Sequence, residues 1–389
     1  MTPTAARPLV VFADDWGRHP SSCQHLIGKL LGHREILWVN TIGTRPPRFD
    51  LSTLKRVAGK LKSWTKASGG RKPTDSVDIE QQSPRILSPK MWPSFHSRMA
   101  RSLNRKLLLR ALRPAFESLS QTPNVITTLP LVADLVGELP ANRWTYYCVD
   151  DFSVWPGYDG ETMARMERDL LPKMDEVVAV SDTLVSHIGT FGKTARLLTH
   201  GVDLDHWRHS RHLELPEFAG LASPFIVFWG VIDRRLDLSF VKHLASNLTT
   251  GTMLFIGPQE DPDPELFALP RVKILPAMPF AKLPAVAAAA SVLVMPYADL
   301  PVTRAMQPLK LKEYLATGKP VVVRDLPATR TWAESCDVCP TKESFTATVL
   351  ERLASGVPIK QQADRSRLDS EGWQEKAKQF EQWVDGEAE

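Results

Sequence analysis

One segment in the last quarter of the sequence combines a lysine, an arginine and a carboxylate. The stretch Pro308–Val322 predicts a short helix that begins at a proline, ends at a glycine and leads into a buried strand. Lys310 and Glu313 are three residues apart and therefore share one face of that helix. Arg304 lies in the loop before it. A helix N-terminus with these side chains beside strand ends suits a ligand that carries both phosphate and hydroxyl groups.

The same segment, PLKLKEYLATGKPVV, resembles the C-terminal signature of GT-B-fold glycosyltransferases of the "glycosyl transferases group 1" kind. That signature has two glutamates eight positions apart, then a helix that ends in Gly-x-Pro, then a strand. Glu313 matches the second glutamate, whereas Ala305 stands at the position of the first. The resemblance covers most of the chain. It implies two Rossmann-like doubly wound domains that face a central cleft, and a final helix that crosses back onto the first domain.

The distribution of apolar runs independently predicts an α/β protein. Short apolar runs alternate with amphipathic helical patterns, which is typical of βαβ units and parallel sheets. Two such sets predict two doubly wound domains. The predicted strands are Leu9–Ala13, Ile36–Asn40, Asn124–Thr128, Thr145–Val149, Glu176–Ser181, Arg196–Thr199, Phe225–Trp229, Met253–Ile256, Val272–Leu275, Val292–Pro296 and Pro320–Val323.

A polar stretch without a strand pattern, Trp207–Ser223, marks the expected boundary between the domains. We therefore predict an N-terminal acceptor-side domain at residues 1–210 and a C-terminal sugar-nucleotide-binding domain at residues 211–370. Residues 371–389 are predicted to contain the final helix, because Trp373, Ala377, Phe380 and Trp383 recur at helical spacing.

The composition is that of a water-soluble globular protein, with 43% hydrophobic and 24% charged residues in 389. No apolar run approaches the roughly 20 residues that span a bilayer. The first apolar run becomes acidic at once and predicts a strand, not a signal peptide. We therefore expect a cytoplasmic protein, or a peripheral one on the inner face of the cytoplasmic membrane. Four cysteines exclude a disulfide framework, and the lone Cys336-x-x-Cys339 pair does not predict a zinc site.

Positive charge is concentrated in the first half of a chain whose formal net charge is only +4. Residues 45–72 contain nine Lys or Arg and one acid, and residues 98–113 contain six basic residues and no acid. Within the first stretch, leucines and Trp64 alternate with Lys55, Arg56, Lys60 and Lys62 in a pattern typical of a helix on an anionic membrane surface. A solvated loop is the alternative. Nucleic-acid binding is not expected, because no recognised module accompanies the charge.

The donor side of the expected site follows from the resemblance. Relatives place a basic residue after the strand that here reads FIVFWG, where it binds the donor diphosphate; Arg235 is the first choice and Arg234 the alternative. The diphosphate would sit at the N-terminus of the helix, where Lys310 neutralises the leaving group and Glu313 accepts hydrogen bonds from the ribose. The complete predicted donor set is Arg234, Arg235, Gly257, Met278, Arg304, Gln307, Pro308, Leu309, Lys310 and Glu313.

Two acids after the strand TYYCV, Asp150 and Asp151, are candidates to orient an acceptor hydroxyl, and with Lys310 and Glu313 they form the predicted catalytic set. A helix cap with an exposed acid is the structural alternative. The predicted acceptor side also includes His200 and the loop after the first strand, whose residues are Asp14, Asp15, Trp16, Gly17 and Arg18. An ordinary capped turn and a structural histidine are the alternatives for these positions.

The resemblance implies a retaining glycosyltransferase, and with these residues it predicts transfer of a sugar from a nucleotide-sugar donor to a glycan or lipid-linked acceptor in cell-surface polysaccharide or exopolysaccharide synthesis. No bound metal and no cofactor besides the donor are expected from the resemblance. Because Ala305 replaces a signature glutamate, a non-catalytic GT-B-like protein that binds glycans or scaffolds an assembly is the alternative. A sugar-nucleotide epimerase on the same fold would need acid–base pairs that the sequence does not supply.

Overall fold

The computed structural model describes residues 6–18, 21–40, 83–208 and 213–387. The basic helix predicted within residues 45–72 lies outside the described residues. No helix in the described part of the chain is both long enough and apolar enough to cross a membrane. The four cysteines are buried and free of disulfide bonds.

The first sheet has seven strands in the order β3-β2-β1-β4-β5-β6-β7. Strand β1 pairs in parallel on both sides, with Leu9 opposite Ile36 and opposite Asn124. Every strand residue of β1 is buried, as expected for a sheet covered on both faces. The strands are β1 (Leu9–Ala13), β2 (Ile36–Asn40), β3 (Arg85–Leu87), β4 (Asn124–Thr127), β5 (Arg143–Cys148), β6 (Glu176–Ala179) and β7 (Arg196–Leu197).

The second sheet has six strands in the order β12-β10-β8-β13-β14-β15. Both sheets therefore place their first strand beside their fourth, so the strand order reverses between β1 and β4 and between β8 and β13. The strands are β8 (Phe225–Trp229), β10 (Thr252–Ile256), β12 (Val272–Leu275), β13 (Val292–Met295), β14 (Val321–Arg324) and β15 (Asp337–Cys339), with a separate short pair of β9 (Ile232–Asp233) and β11 (Gln259–Glu260).

Helices connect the strands as the βαβ pattern predicts. They are α1 (Ser22–Gly28), α2 (Arg98–Glu117), α3 (Gly160–Leu170), α4 (Asp182–Gly189), α5 (Leu204–Arg208), α6 (Leu238–Asn247), α7 (Leu283–Ala289), α8 (Pro301–Ala305), α9 (Leu309–Ala316), α10 (Pro327–Arg330), α11 (Lys342–Ser355), α12 (Ile359–Asp364) and α13 (Trp373–Asp385).

The segment around α9 folds as its sequence predicts. Pro308 precedes the helix in an extended conformation, and Leu311, Tyr314 and Leu315 bury their side chains in the core of the second sheet. Gly318 follows with φ of +75°, the left-handed conformation that ends many helices. The following strand, β14, has three fully buried valines.

The predicted strands agree with the structure in position and differ mainly at their ends. β1, β2, β8 and β12 begin and end where predicted. The strand β3 was not predicted, because its three residues are exposed or only half-buried and give no apolar run. An edge strand of this kind is defined by backbone pairing with β2, which sequence pattern does not reveal.

The described residues form two compact units, one of residues 6–18, 31–40, 83–146 and 152–175 and the other of residues 21–30, 147–151, 176–208 and 213–387. Within the second unit, α13 packs against α1. The ring of Trp373 stacks on His25 at 4.7 Å and Phe380 contacts Tyr147 at 5.0 Å. The domain limits at residues 210 and 370 stay predictions.

Candidate functional site

Polar side chains gather in the second unit where the strand order of the second sheet reverses. In doubly wound sheets, ligands bind outside the carboxyl ends of the strands at such a point. We call the group Asp150, Arg235, Tyr297, Lys310 and Glu313 the site cluster. Arg235 follows β8, Tyr297 follows β13, and the last two belong to α9.

The ammonium group of Lys310 lies at the centre of the site cluster. Its Nζ donates to the Tyr297 hydroxyl at 2.5 Å. It also lies 5.1 Å from the centre of the Tyr297 ring and 5.2 Å from that of Phe228, within the range of cation–π attraction. Among the described residues it makes no ion pair at all. Its positive charge is therefore held in place without being neutralised.

Gly230 leaves the space that this lysine occupies, and Gly257 leaves the space for the Gly230 backbone. A Cβ on Gly230 would come within 2.6 Å of Lys310 Nζ, and a Cβ on Gly257 would overlap the Gly230 carbonyl oxygen. Their φ angles of +138° and +156° are also rarely adopted by residues with side chains. The Gly230 N–H donates to the Ile256 carbonyl at 2.9 Å, which fixes the two strand ends side by side.

Glu313 lies partly buried on the same face of α9 as Lys310. Its Oε2 accepts a hydrogen bond of 3.3 Å from the indole of Trp229. Burial raises the pKa of this carboxyl to about 7, against the opposing effects of that hydrogen bond and of the nearby lysine. Trp229 is itself fixed, because its ring stacks on Trp207 with ring centres 5.4 Å apart and its backbone N–H donates to the Tyr314 hydroxyl at 3.0 Å.

Arg235 is 8% exposed and is oriented by Asp233. Its Nε donates to both carboxylate oxygens of Asp233, at 3.1 and 2.9 Å, and a terminal nitrogen lies 2.8 Å from one of them. Asp150 lies close enough to Arg235 to feel its charge. Burial raises the pKa of Asp150 to about 7, while Arg235 lowers it and Asp151 raises it further. A carboxyl with this pKa exchanges protons near neutral pH.

Other members of the predicted donor set lie outside the site cluster. Arg234 and Arg304 are exposed and ion-paired, with Asp263 at 3.3 Å and with Asp299 at 2.5 Å. Met278 packs on the core of the second sheet. Gln307 is 9% exposed, and its side-chain oxygen has no hydrogen-bond partner in the described part of the chain. Gly257 contacts the cluster through Gly230, and Pro308 and Leu309 lie at the start of α9.

The loop after β1, Asp14–Arg18, lies in the first unit and is tied to the end of β2. The Asp14 carbonyl accepts from the Trp38 indole at 2.9 Å, and the Trp16 N–H donates to Asn40 at 3.1 Å. Arg18 pairs with Asp15 at 3.8 Å, and Gly17 has φ of +75°. The acceptor-side role of these residues stays a prediction. Their hydrogen bonds and ion pair hold the turn in place.

His200 lies in a second group of polar residues, which we call the Lys312 cluster and define as Thr199, His200, Lys312, Glu371 and Lys376. The Lys312 ammonium donates to Glu371 at 2.6 Å, to Thr199 at 3.2 Å and to the His200 carbonyl. Lys376 pairs with the same glutamate at 2.9 Å. Burial lowers the pKa of His200 to about 3 and that of Lys312 to about 8. The imidazole of His200 is therefore neutral at physiological pH.

Tyr297 and Trp229 were not among the residues predicted for the site. Both are buried aromatic residues at the ends of predicted strands, where sequence alone assigns them to the core. The only signal was their position, since side chains that follow parallel strands lie at the ligand-binding edge of the sheet. No group of three or more metal-ligating side chains occurs within the described ranges.

Known structures resemble this chain over nearly all of its length. Sucrose-phosphate synthase from Thermosynechococcus elongatus superimposes with a TM-score of 0.68 at 15% identity, over 98% of each chain. The chain has the GT-B fold. A second GT-B structure, Anabaena HepE in complex with UDP and glucose, gives a TM-score of 0.67 at 11% identity, over 97% of this chain and 99% of that one. The two doubly wound α/β domains predicted from the sequence are thereby confirmed.

Comparison of sequences finds a relative that matches a shorter part of the chain than these structures do. The putative teichuronic acid biosynthesis glycosyltransferase TuaH of Bacillus subtilis is 30% identical over 173 residues. The match spans 42% of this chain and 43% of that relative, so less than half of the curated relative is covered. No family model matches the sequence.

Proposed function

We propose that the protein is a glycosyltransferase that moves a sugar from a nucleotide-sugar donor to a glycan or lipid-linked acceptor in cell-surface polysaccharide synthesis. The observation that carries this proposal is the site cluster, which gathers two cations and two carboxyls at the reversal point of the second sheet. The fold shared with HepE, solved with UDP and glucose, and the match to TuaH support the same class of reaction.

Lys310 and Arg235 are proposed to bind the donor diphosphate. Lys310 is the cation in the cluster that has no carboxylate partner, and Arg235 is oriented by Asp233 with little freedom to move. The start of α9 adds backbone N–H groups and the positive end of a helix dipole. As the sugar–phosphate bond breaks, these charges stabilise the negative charge that develops on the leaving diphosphate.

Glu313 is proposed to accept hydrogen bonds from the ribose hydroxyls. One of its oxygens already accepts from Trp229, and the second has no bond from the protein in the described part of the chain. A ribose hydroxyl would therefore complete the hydrogen bonding of this carboxylate and favour its charged form, lowering its pKa. The exposed Arg234 and Arg304 are proposed to contribute less to donor binding than Arg235 and Lys310.

Asp150 and Asp151 are proposed to orient the acceptor hydroxyl. The pKa of Asp150, about 7, lets this carboxyl accept a proton from a hydroxyl near neutral pH. We further propose retention of the anomeric configuration and no requirement for a metal ion, as the resemblance implies. A lipid-linked acceptor would bring the enzyme to the inner face of the cytoplasmic membrane.

A non-catalytic glycan-binding or scaffold role is the second candidate. It is favoured by Ala305, which is 4% exposed and has no side chain to bind a sugar hydroxyl. The carbonyl of Ala305 accepts from the Ser181 hydroxyl at 2.5 Å, so the backbone there is fixed. A protein of this kind would bind a nucleotide sugar or a glycan without releasing nucleotide.

The test is a panel of UDP-, GDP-, ADP- and dTDP-sugars, read by thermal shift and by nucleotide release with polysaccharide acceptors. One donor should stabilise the protein and be consumed, and both effects should be lost in Glu313→Ala. Lys319→Ala is the control, because the Lys319 ammonium donates to the Ala288 carbonyl at 2.7 Å and lies outside the site cluster. Stabilisation without release would favour the non-catalytic role. No stabilisation and no release with any donor would contradict the transferase and leave glycan binding as the role to test.

A further inference from the structure

One face of α2, in the first unit, is both basic and apolar. The helix buries Asn104, Leu108, Leu112, Ala115 and Phe116 on its inner side. Residues at helical spacing on the opposite side are exposed, and we call them the α2 outer face: Met99, Leu103, Lys106, Arg110 and Arg113. Met99 is 84% exposed and Leu103 is 42% exposed, so two apolar side chains one helical turn apart are accessible beside the cations.

Five of the six cations of this helix fall into two groups. Arg101 bonds Asp134 and Asp169, and Arg105 pairs with Glu138, so these two charges are neutralised by the protein itself. Lys106, Arg110 and Arg113 have no ion-pair partner anywhere in the described ranges. The only acid in the helix is Glu117, its last residue. The α2 outer face therefore carries uncompensated positive charge.

We propose that the α2 outer face docks on an anionic lipid surface. Met99 and Leu103 would enter the boundary between headgroups and acyl chains, and the three cations would contact lipid phosphates. A helix that combines apolar and basic residues on one exposed face has the composition of a helix that lies in a membrane interface. Its 20 residues span about 30 Å, enough to contact many headgroups.

The apolar side chains distinguish a membrane from other polyanions. A nucleic acid or an acidic polysaccharide would engage the three cations, but it would gain nothing from Met99 and Leu103. Proteins that bind single-stranded nucleic acid place stacking aromatic rings between their cations, and the α2 outer face has none. The docking proposal does not depend on the proposed sugar transfer, since it is based on a different part of the molecule.

The experiment is co-sedimentation of the full chain with vesicles of phosphatidylcholine alone and of an equal mixture with phosphatidylglycerol. The triple variant Lys106→Glu, Arg110→Glu, Arg113→Glu should lower partitioning onto the anionic vesicles at least tenfold. The matched control is Lys273→Glu, Lys360→Glu, Lys378→Glu, which makes the same change in net charge at exposed positions of the second unit. It should reduce binding much less. Residues 41–82 are identical in all variants.

A second variant, Met99→Ser with Leu103→Ser, separates lipid insertion from charge attraction and should weaken vesicle binding several-fold while leaving heparin binding unchanged. Equal losses in the two charge variants would overturn the proposal, as would undiminished vesicle binding in the α2 triple variant. Full binding by the serine variant would overturn it in favour of a general polyanion site. Thermal unfolding of each variant verifies that it is folded.

Discussion

Two lysines on helix α9, two residues apart, have opposite surroundings. Lys312 is 2% exposed and donates to a carboxylate, a hydroxyl and a carbonyl, which together satisfy the three hydrogens of an ammonium group. Lys310 donates to one hydroxyl and lies against two aromatic rings. On one side of the helix, all three hydrogens of the Lys312 ammonium are used in hydrogen bonds. On the other side, the Lys310 ammonium has N–H donors that make no hydrogen bond to the described residues.

The comparison shows how one helix serves structure and binding together. The protein supplies three acceptors for the Lys312 ammonium, so this lysine connects α9 to the segment that leads into α13. In the site cluster the protein supplies orientation and leaves charge unpaired, which is the arrangement that an anionic ligand completes. Substitutions of the two lysines should therefore separate stability from activity.

The largest effect on stability is expected for Lys312→Ala. Removing the buried ammonium leaves the half-buried Glu371 with Lys376 as its remaining cation. Loss of one partner of a fully buried ion pair costs about 3 kcal/mol or more, and the partial exposure of Glu371 reduces the expected loss to about 2 kcal/mol. Urea unfolding measures this difference. The double variant Lys312→Met with Glu371→Leu should recover much of the loss. A change below about 1 kcal/mol would mean that the cluster contributes little.

Lys310→Ala should have the opposite effect to Lys312→Ala, lowering activity and leaving stability almost unchanged. We expect donor turnover to fall about a hundredfold, because a charge on the leaving group loses its partner, while the unfolding free energy changes little. Steady-state kinetics with the donor that the panel of nucleotide sugars selects provides the measurement. Lys310→Arg should restore only part of the rate, since a guanidinium is larger than the ammonium that lies close beside Gly230. Stability losses as large as those of Lys312→Ala would contradict the distinction between the two lysines.

The titration of Glu313 provides a third test. Its pKa is raised from 4.5 to about 7 in the folded protein, so the folded state binds a proton that the unfolded state releases over this interval. The stability from this group is present below about pH 4.5 and is lost as the pH rises through about 7, by roughly 2 kcal/mol for this partly exposed site. Unfolding measured from pH 5 to pH 8 in wild type and Glu313→Gln should show a smaller slope in the variant.

Tyr297→Phe should have a smaller effect. The substitution removes the hydroxyl that accepts from Lys310 and keeps the ring. We expect the KM for the donor to rise about tenfold with little change in kcat, because a single hydrogen bond to a charged group contributes about 1.5 kcal/mol or more. A fall in kcat with unchanged KM would indicate that the tyrosine takes part in the chemical step.

Arg304→Ala should have the smallest effect of the series. The guanidinium is exposed and bonds both oxygens of Asp299, at 2.5 and 2.8 Å. We expect no measurable change in melting temperature and a smaller rise in donor KM than for Lys310→Ala. If the two variants raise the KM equally, Arg304 turns toward the donor when it binds.

Sequence reasoning was most successful where a local pattern determines structure. The α9 segment has a proline start, a buried apolar face and a glycine stop, and each has a local physical cause. It failed for Tyr297 and Trp229, whose roles depend on which strands become neighbours. It also could not separate Lys310 from Lys312 by their partners, because Glu371 is 59 residues from Lys312 along the chain.

The paired glycines at the ends of β8 and β10 restrict how this gene can vary. Every missense change in a glycine codon adds a side chain, and at Gly257 that side chain would collide with the Gly230 backbone, not with a flexible neighbour. A saturation mutagenesis scan of folding should therefore find that almost no substitution is tolerated at Gly230 or Gly257. The codon for Arg234, four residues after Gly230 and exposed, should accept many changes.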